Sequence, residues 1–336
     1  MPPYDPNNIY AFTQAGMLAP AVRGFLERVY VPDGKGNRLY LIDPKIYRVV
    51  DSYPVDAVPQ HVVPAYDFKT LYVVNDVGQT IIPIDPQTGK PGPRIRIPDP
   101  YNLYFTPDGK YALVVAEVKQ RLDFYDPQTW QRKSSLKVPC KGINHMDYSA
   151  DGRILIAACE FSGDLLKIDA AAQKVLGKLH LGGMPQDVKL SPDGRIFYVA
   201  DMDAGGVHLI DGERLVRLGF IPTGKGAHGL YPSRDTHYLY ISNRGEGSVS
   251  VLEFATRKLV VKWWIPGGGS PDMGGVTADG KELWLSGRYH GEVYVFNTDP
   301  VKGGLTHRIK VGQGPHGLAV YPQPGRYSLG HTGVTR

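Results

Sequence analysis

Seven times along this chain an apolar residue is followed by an acid or amide and then by a turn. The pairs are Ile42-Asp43, Ile84-Asp85, Tyr125-Asp126, Ile168-Asp169, Ile210-Asp211, Leu252-Glu253 and Phe296-Asn297, spaced 41 to 44 residues apart. A fixed period near 40 constrains the fold more than any local propensity, because each repeat is one unit that must bury its faces against its neighbours. A second register recurs with the first. INHMDYSADGRILIAACE, PQDVKLSPDGRIFYVAD and PDMGGVTADGKELWLSGR align on an Asp-Gly turn, and four further segments follow the same pattern.

Within a copy, apolar runs of five to seven residues rich in Val, Ile, Leu and Tyr are punctuated by turns such as Pro107-Asp108-Gly109 and Pro192-Asp193-Gly194. This is strand and turn chemistry, and helical periodicity is absent. Four short strands per repeat fit: one entering the Asp-Gly turn, one leaving it, one ending at the apolar-acid pair, and one after it. The expected fold is all-β, a seven-bladed β-propeller of four-stranded antiparallel blades. The 40 Gly and 28 Pro among 336 residues agree with many turns and short elements.

Phase predicts how the ring closes. The chain opens at RVYVPDGKGNRLYLID, a repeat lacking its first strand, and ends near HGLAVYP, a first strand lacking the rest. Both chain ends therefore complete one blade, which removes an exposed sheet edge. Residues 1–27 read as an N-terminal arm, 28–322 as one propeller domain, and 323–336 as a C-terminal strand or arm. RYSLGHTGVTR either competes with RVYV as a strand or crosses the end face.

Leu71-Tyr72-Val73-Val74-Asn75, Phe197-Tyr198-Val199-Ala200-Asp201 and Leu239-Tyr240-Ile241-Ser242-Asn243 form one hairpin arm, and Val249 to Thr256 the next. These segments resemble the YVTN family of propellers over about residues 28 to 322. The resemblance implies the architecture. It leaves function open, because such propellers include binding proteins, lactonases and haem-associated enzymes.

In a propeller the first strand of each blade lines the central channel, so the repeat alignment converts sequence position into spatial position. Counting back from each turn gives Gln60-His61, Tyr101-Asn102, Asn144-His145, Gln186-Asp187, His228-Gly229, Asp272-Met273 and His316-Gly317 around one mouth. Four of the ten histidines fall in this register, where chance would place fewer than one. His61, His145, His228 and His316 are accordingly the candidate ligands for a metal or a small polar molecule. Imidazole suits copper, zinc or iron. Asn102, Asn144, Asp187 and Asp272 accompany them. A second ring after the second strands brings Glu160, Arg244 and Arg288 to the same mouth, along with Glu117, Asp201, Asn243 and His331. The two arginines would receive an anionic end of a ligand.

Cys140 and Cys159, the only cysteines, are expected together near His145, as a disulfide, as two plain thiols or as metal ligands. Function divides into three readings. The first is a binding protein holding a transition metal or small polar ligand. The second is a metal-dependent enzyme, an oxidase or a lactonase-like hydrolase, on the same residues. The third is a scaffold for protein partners. A net charge of +5 without a basic run argues against nucleic acid, and no apolar run is long enough for a membrane span. The start lacks a positively charged segment ahead of an apolar stretch, which favours the cytoplasm, or an extracytoplasmic site if a leader is removed.

Overall fold

The computed structural model describes residues 2–331 and 333–336. Twenty-eight strands form seven four-stranded antiparallel sheets. Blade 1 is built from Ala319–Tyr321 as its inner strand and Arg28–Asp33, Arg38–Asp43 and Arg48–Pro54 outward from it. Val29 pairs with Val320 and Tyr30 with Ala319, so both chain ends close the ring as the phase of the repeats requires. Blades 2 to 7 follow in chain order. Their inner strands are Pro59–Pro64, Asn102–Phe105, Ile143–Tyr148, Pro185–Leu190, Ala227–Pro232 and Pro271–Val276.

Burial falls outward within each blade, and the sequence pattern shows why. Inner and second strands are buried along nearly their whole length because both of their faces pack against neighbouring blades, and the second strands are nearly continuous apolar runs. Outer strands such as Lys174–His180 alternate exposed with half-buried side chains. The core is therefore a ring of apolar clusters between adjacent blades. One example unites Tyr104, Leu113, Phe124, Met146 and Leu155 from blades 3 and 4.

Inner strands are not regular ladders. Register breaks fall between Pro59 and His61, Ile143 and Met146, Pro185 and Val188, Ala227 and Leu230, and Pro271 and Gly274. Each break coincides with the polar pair of the repeat register. A bulge adds a residue that the ladder does not pair and re-aims its side chain. Five inner strands thus carry their bulge at the same place in the repeat.

The C-terminal segment follows neither expected course. Residues 326–331 and 333–336 pair as the two arms of a hairpin, with Leu329 N–H donating to Val334 O and Arg336 N–H to Tyr327 O. The hairpin runs inside the channel along the inner strand of blade 3: Phe105 N–H donates to Leu329 O and His331 N–H to Leu103 O. The N-terminal arm crosses the face of the Asp-Gly turns, bonding Pro192 O from Ile9 N–H and Ala278 O from Gly16 N–H. Among the described residues, no helix is long and apolar enough to cross a membrane.

Candidate metal centre

The bulged register brings His61, His145, His228 and His316 together, and the C-terminal hairpin adds His331. All five are at most 2% exposed. They were expected to ring one mouth of the channel, and they are buried there against one another. The hairpin brings His331 to the cluster, and Arg244 Nη1 lies 3.2 Å from Asp272 Oδ1. Neighbouring imidazoles touch: ring centroids are 4.7 Å apart for His61 and His316, 5.4 Å for His61 and His145, 4.7 Å for His145 and His331, and 5.9 Å for His228 and His316.

Ligand atoms fall into two sets of three. Those of His61, His145 and His331 lie within 4.8 Å of one another, and so do those of His228, Asp272 and His316. In the first set, His61 Nδ1 lies 3.1 Å from Tyr101 O. A carbonyl only accepts, so Nδ1 carries the proton and Nε2 keeps its lone pair, 3.4 Å from His145 Nε2. The amide nitrogen of Asn102 donates to His331 Nδ1 at 2.9 Å, which places the proton of that neutral ring on Nε2, 3.7 Å from Asp187 Oδ1. In the second set, His228 Nδ1 is 3.2 Å from Asp272 Oδ1 and 2.9 Å from Met273 Sδ, while His316 Nε2 is 3.6 Å from Asp272 Oδ2.

Burial depresses the basicity of every ring. His61 is lowered to about 3 against the opposing pull of its bond to Tyr101, and His145, His228, His316 and His331 are lowered well below their usual value. Desolvation penalises the imidazolium, and nearby charges add to it, Arg244 for His228 and Arg288 for His316. The rings are neutral, which is the state a metal requires. Three buried polar atoms of the chamber make no hydrogen bond: His145 Nδ1, His316 Nδ1 and Asp272 Oδ2. Native interiors leave few such atoms.

The accompanying residues divide by role. Asn144 braces the backbone, accepting from His145 N–H at 2.6 Å and donating to Gln186 Oε1 at 3.2 Å. Asp187 accepts from Val188 and Leu230 N–H, and its Oδ1 lies 3.7 Å from His331 Nε2. Burial raises its carboxyl to about 6. Arg244 sits over Asp272 at 3.2 Å and against Met202 Sδ at 2.7 Å. Arg288 is half-buried, and its charge reaches Asp272 and three of the histidines. Gln186 donates to Glu160 Oε2 at 2.8 Å. Burial and a hydrogen bond with Glu160 hold the Glu117 carboxyl well above its usual range. Asp201 and Asn243 turn away from the channel into their own turns.

Cys140 and Cys159 form a disulfide, which removes them from the ligand set. The bond ties the segment entering the inner strand of blade 4 to the end of its second strand. His331, expected in the second ring, joins the first-ring histidines, and it is the C-terminal hairpin that carries it there.

Bulged inner strands bring five buried, neutral imidazoles together within a seven-bladed propeller. Residues 29–324 match the model of the YNCE-like beta-propeller family, and the chain belongs to that family. It is 25% identical over 224 residues to Antigen Lp49 of Leptospira interrogans, covering 59% of this chain and 47% of that protein. The chain spans less than half the length of the curated relatives it matches. Among solved structures it is similar to hydrazine synthase of Kuenenia stuttgartiensis, with a TM-score of 0.69 and 19% identity, covering 81% of this chain and 92% of that one. It is also similar to a functionally unknown protein from Desulfotomaculum acetoxidans, with a TM-score of 0.70 and 16% identity over 87% of this chain and 99% of that one. At such identities the likeness is one of fold alone.

Proposed function

We propose that this protein is a metal-binding propeller that holds a transition metal in its axial chamber. The observation that carries the reading is the pair of buried three-donor sets, with unpartnered polar atoms at His145, His316 and Asp272. Five neutral imidazoles without a metal would leave acceptor and donor capacity unused in a site that water does not reach. Imidazole and carboxylate suit copper, zinc and iron alike, while the thioether of Met273 beside His228 favours copper. The disulfide fits an oxidising compartment.

A second reading, a metal-dependent enzyme, draws on the Glu117–Glu160 pair. A carboxyl that keeps its proton near neutral pH is equipped to act as a general acid, and Glu160 is close enough to influence Asp272. Binding of azide or cyanide to the loaded protein would favour this reading by revealing an open coordination position.

The test of the metal reading is elemental analysis of protein purified without an affinity tag, before and after loading with copper, zinc or iron. The variant carrying His61→Gln, His145→Gln, His228→Gln and His316→Gln serves as the control. Stoichiometric metal retained by the parent and lost by the variant is the expected result. Absence of metal from the loaded parent would reject it and turn attention to organic ligands and protein partners.

A further inference from the structure

We infer that the channel mouth beside the histidine cluster binds a small zwitterion, with its primary ammonium on Glu117, Glu160 and Gln60 and its carboxylate on Arg288. None of these four side chains belongs to the proposed metal ligands, so the inference stands apart from the metal reading.

The residues that follow the second strands segregate charge around the ring. Asp76, Glu117 and Glu160 take this place in blades 2, 3 and 4, and Arg244 and Arg288 in blades 6 and 7. Asp201 of blade 5, between the two groups, is turned into its own loop. Tyr101 links the two sides. Its ring packs edge-on against His61 and His145, with centroids 5.4 and 5.9 Å apart, and its phenol feels Glu160 and Glu117 as well as Arg288.

The acidic side is short of donors. Glu117 and Gln60 are each 7% exposed, yet Glu117 Oε1 and Gln60 Oε1 receive no hydrogen bond. The amide nitrogen of Gln60 is committed to Asp76, and that of Gln186 to Glu160 Oε2. A proton on Glu117 bonds it to Glu160 and leaves Gln60 Oε1 without a donor. A primary ammonium in its place brings three N–H donors and a positive charge, serving the pair and Gln60 together, while the proton leaves to solvent. A compact metal ion fits less well. Among the described residues, the carboxylates of this side do not gather their oxygens within 4.8 Å of one another as the histidine sets do.

On the basic side only one arginine is available. Arg244 is held by Asp272 at 3.2 Å and lies over the ring of Tyr289. Arg288 is half-buried, and among the described residues its guanidinium makes no ion pair or hydrogen bond. Its charge nevertheless falls on Asp272 and Tyr101. A planar guanidinium offers two parallel N–H groups that match a carboxylate.

The probes are the ω-amino acids from glycine to 6-aminohexanoate, each with the alkylamine and the alkanoate of matched length. They are titrated calorimetrically into chelator-treated protein, so failure of the metal reading leaves the outcome unaffected. At least one amino acid is expected to bind about tenfold or more tighter than both of its singly charged analogues. Glu117→Gln and Arg288→Gln are each expected to weaken that amino acid about tenfold, with Arg288→Gln leaving the matched alkylamine unaffected. The comparison of ligands on the parent needs no variant, so misfolding of a variant leaves the inference decidable. Binding by no amino acid of the series, or an alkylamine or alkanoate that binds as tightly as its amino acid, overturns the zwitterion site. An affinity unchanged in either variant overturns the placement of that end of the ligand.

Discussion

At the scale of single residues, the chamber depends on glycines that let neighbouring strands approach. His316 is followed by Gly317, and a Cβ built on Gly317 would collide with the ring of His61. His61 and Gly317 form a bridge between adjacent inner strands, so that contact leaves no room to move apart. Gly317→Ala is expected to displace the His61 ring and weaken metal binding at least tenfold, which competition with a chelator would measure. Buried histidines also set a pH dependence of stability. A ring held at about 3 in the folded chain and near 6.5 unfolded makes the unfolded state bind more protons between those values. Stability from this source is complete above pH 6.5 and is lost as pH falls toward 3. Replacing His61 with Gln removes that loss. In the metal-free protein, urea unfolding of the variant and the parent at pH 7 and pH 5 is expected to shift in the variant's favour by roughly 2 kcal/mol between the two. Glu117 has the opposite sign. Its raised carboxyl stabilises the folded state at low pH and loses that contribution as pH rises, so Glu117→Gln gains on the parent toward alkaline pH. An unchanged difference across pH would show that these groups are solvated.

At the scale of elements, the same turn recurs with the same chemistry. A Ser or Thr hydroxyl donates to an Asp two residues on, as in Thr106 to Asp108, Ser149 to Asp151 and Ser191 to Asp193. Glycine then takes the positive φ at Gly109, Gly152 and Gly194, while Thr236 occupies the corresponding place in blade 6 at 62°. These turns were legible in the chain because their chemistry is local. The bulges were legible only indirectly: polar pairs interrupting apolar strands marked where they fall, but a register break is a property of two strands. The cysteines illustrate the same boundary. Their positions in the repeat left a disulfide, free thiols and ligands open, and the pairing of Ile143 with Cys159 brings Cys140 alongside. A bond closing a segment of 19 residues is worth about 3 kcal/mol. Cys140→Ser with Cys159→Ser is expected to destabilise by that order in guanidinium unfolding, with reductant lowering the parent to the same level.

At the scale of the whole molecule, blade 1 holds the ring together because its strands come from both chain ends. Removing residues 319–336 strips it of its inner strand and exposes the edge of Arg28–Asp33. Calorimetry is expected to show a lower and less cooperative transition for that truncated chain, and an unchanged transition would mean that the six complete blades are self-sufficient. The architecture, the closure and the height of the polar ring were all determined by the sequence itself, since they follow from period and phase, which are local and repeated. Position in the repeat likewise identified His61, His145, His228 and His316. The course of residues 326–336, and with it the place of His331, was decided only by tertiary structure. No neighbour in sequence specifies that this hairpin enters the channel. Its backbone bonds go to blade 3 and its terminal guanidinium pairs with the buried Asp147 of blade 4. The seal over the histidines, and hence their burial and neutrality, depends on contacts between segments more than 200 residues apart, such as His331 with Asn102.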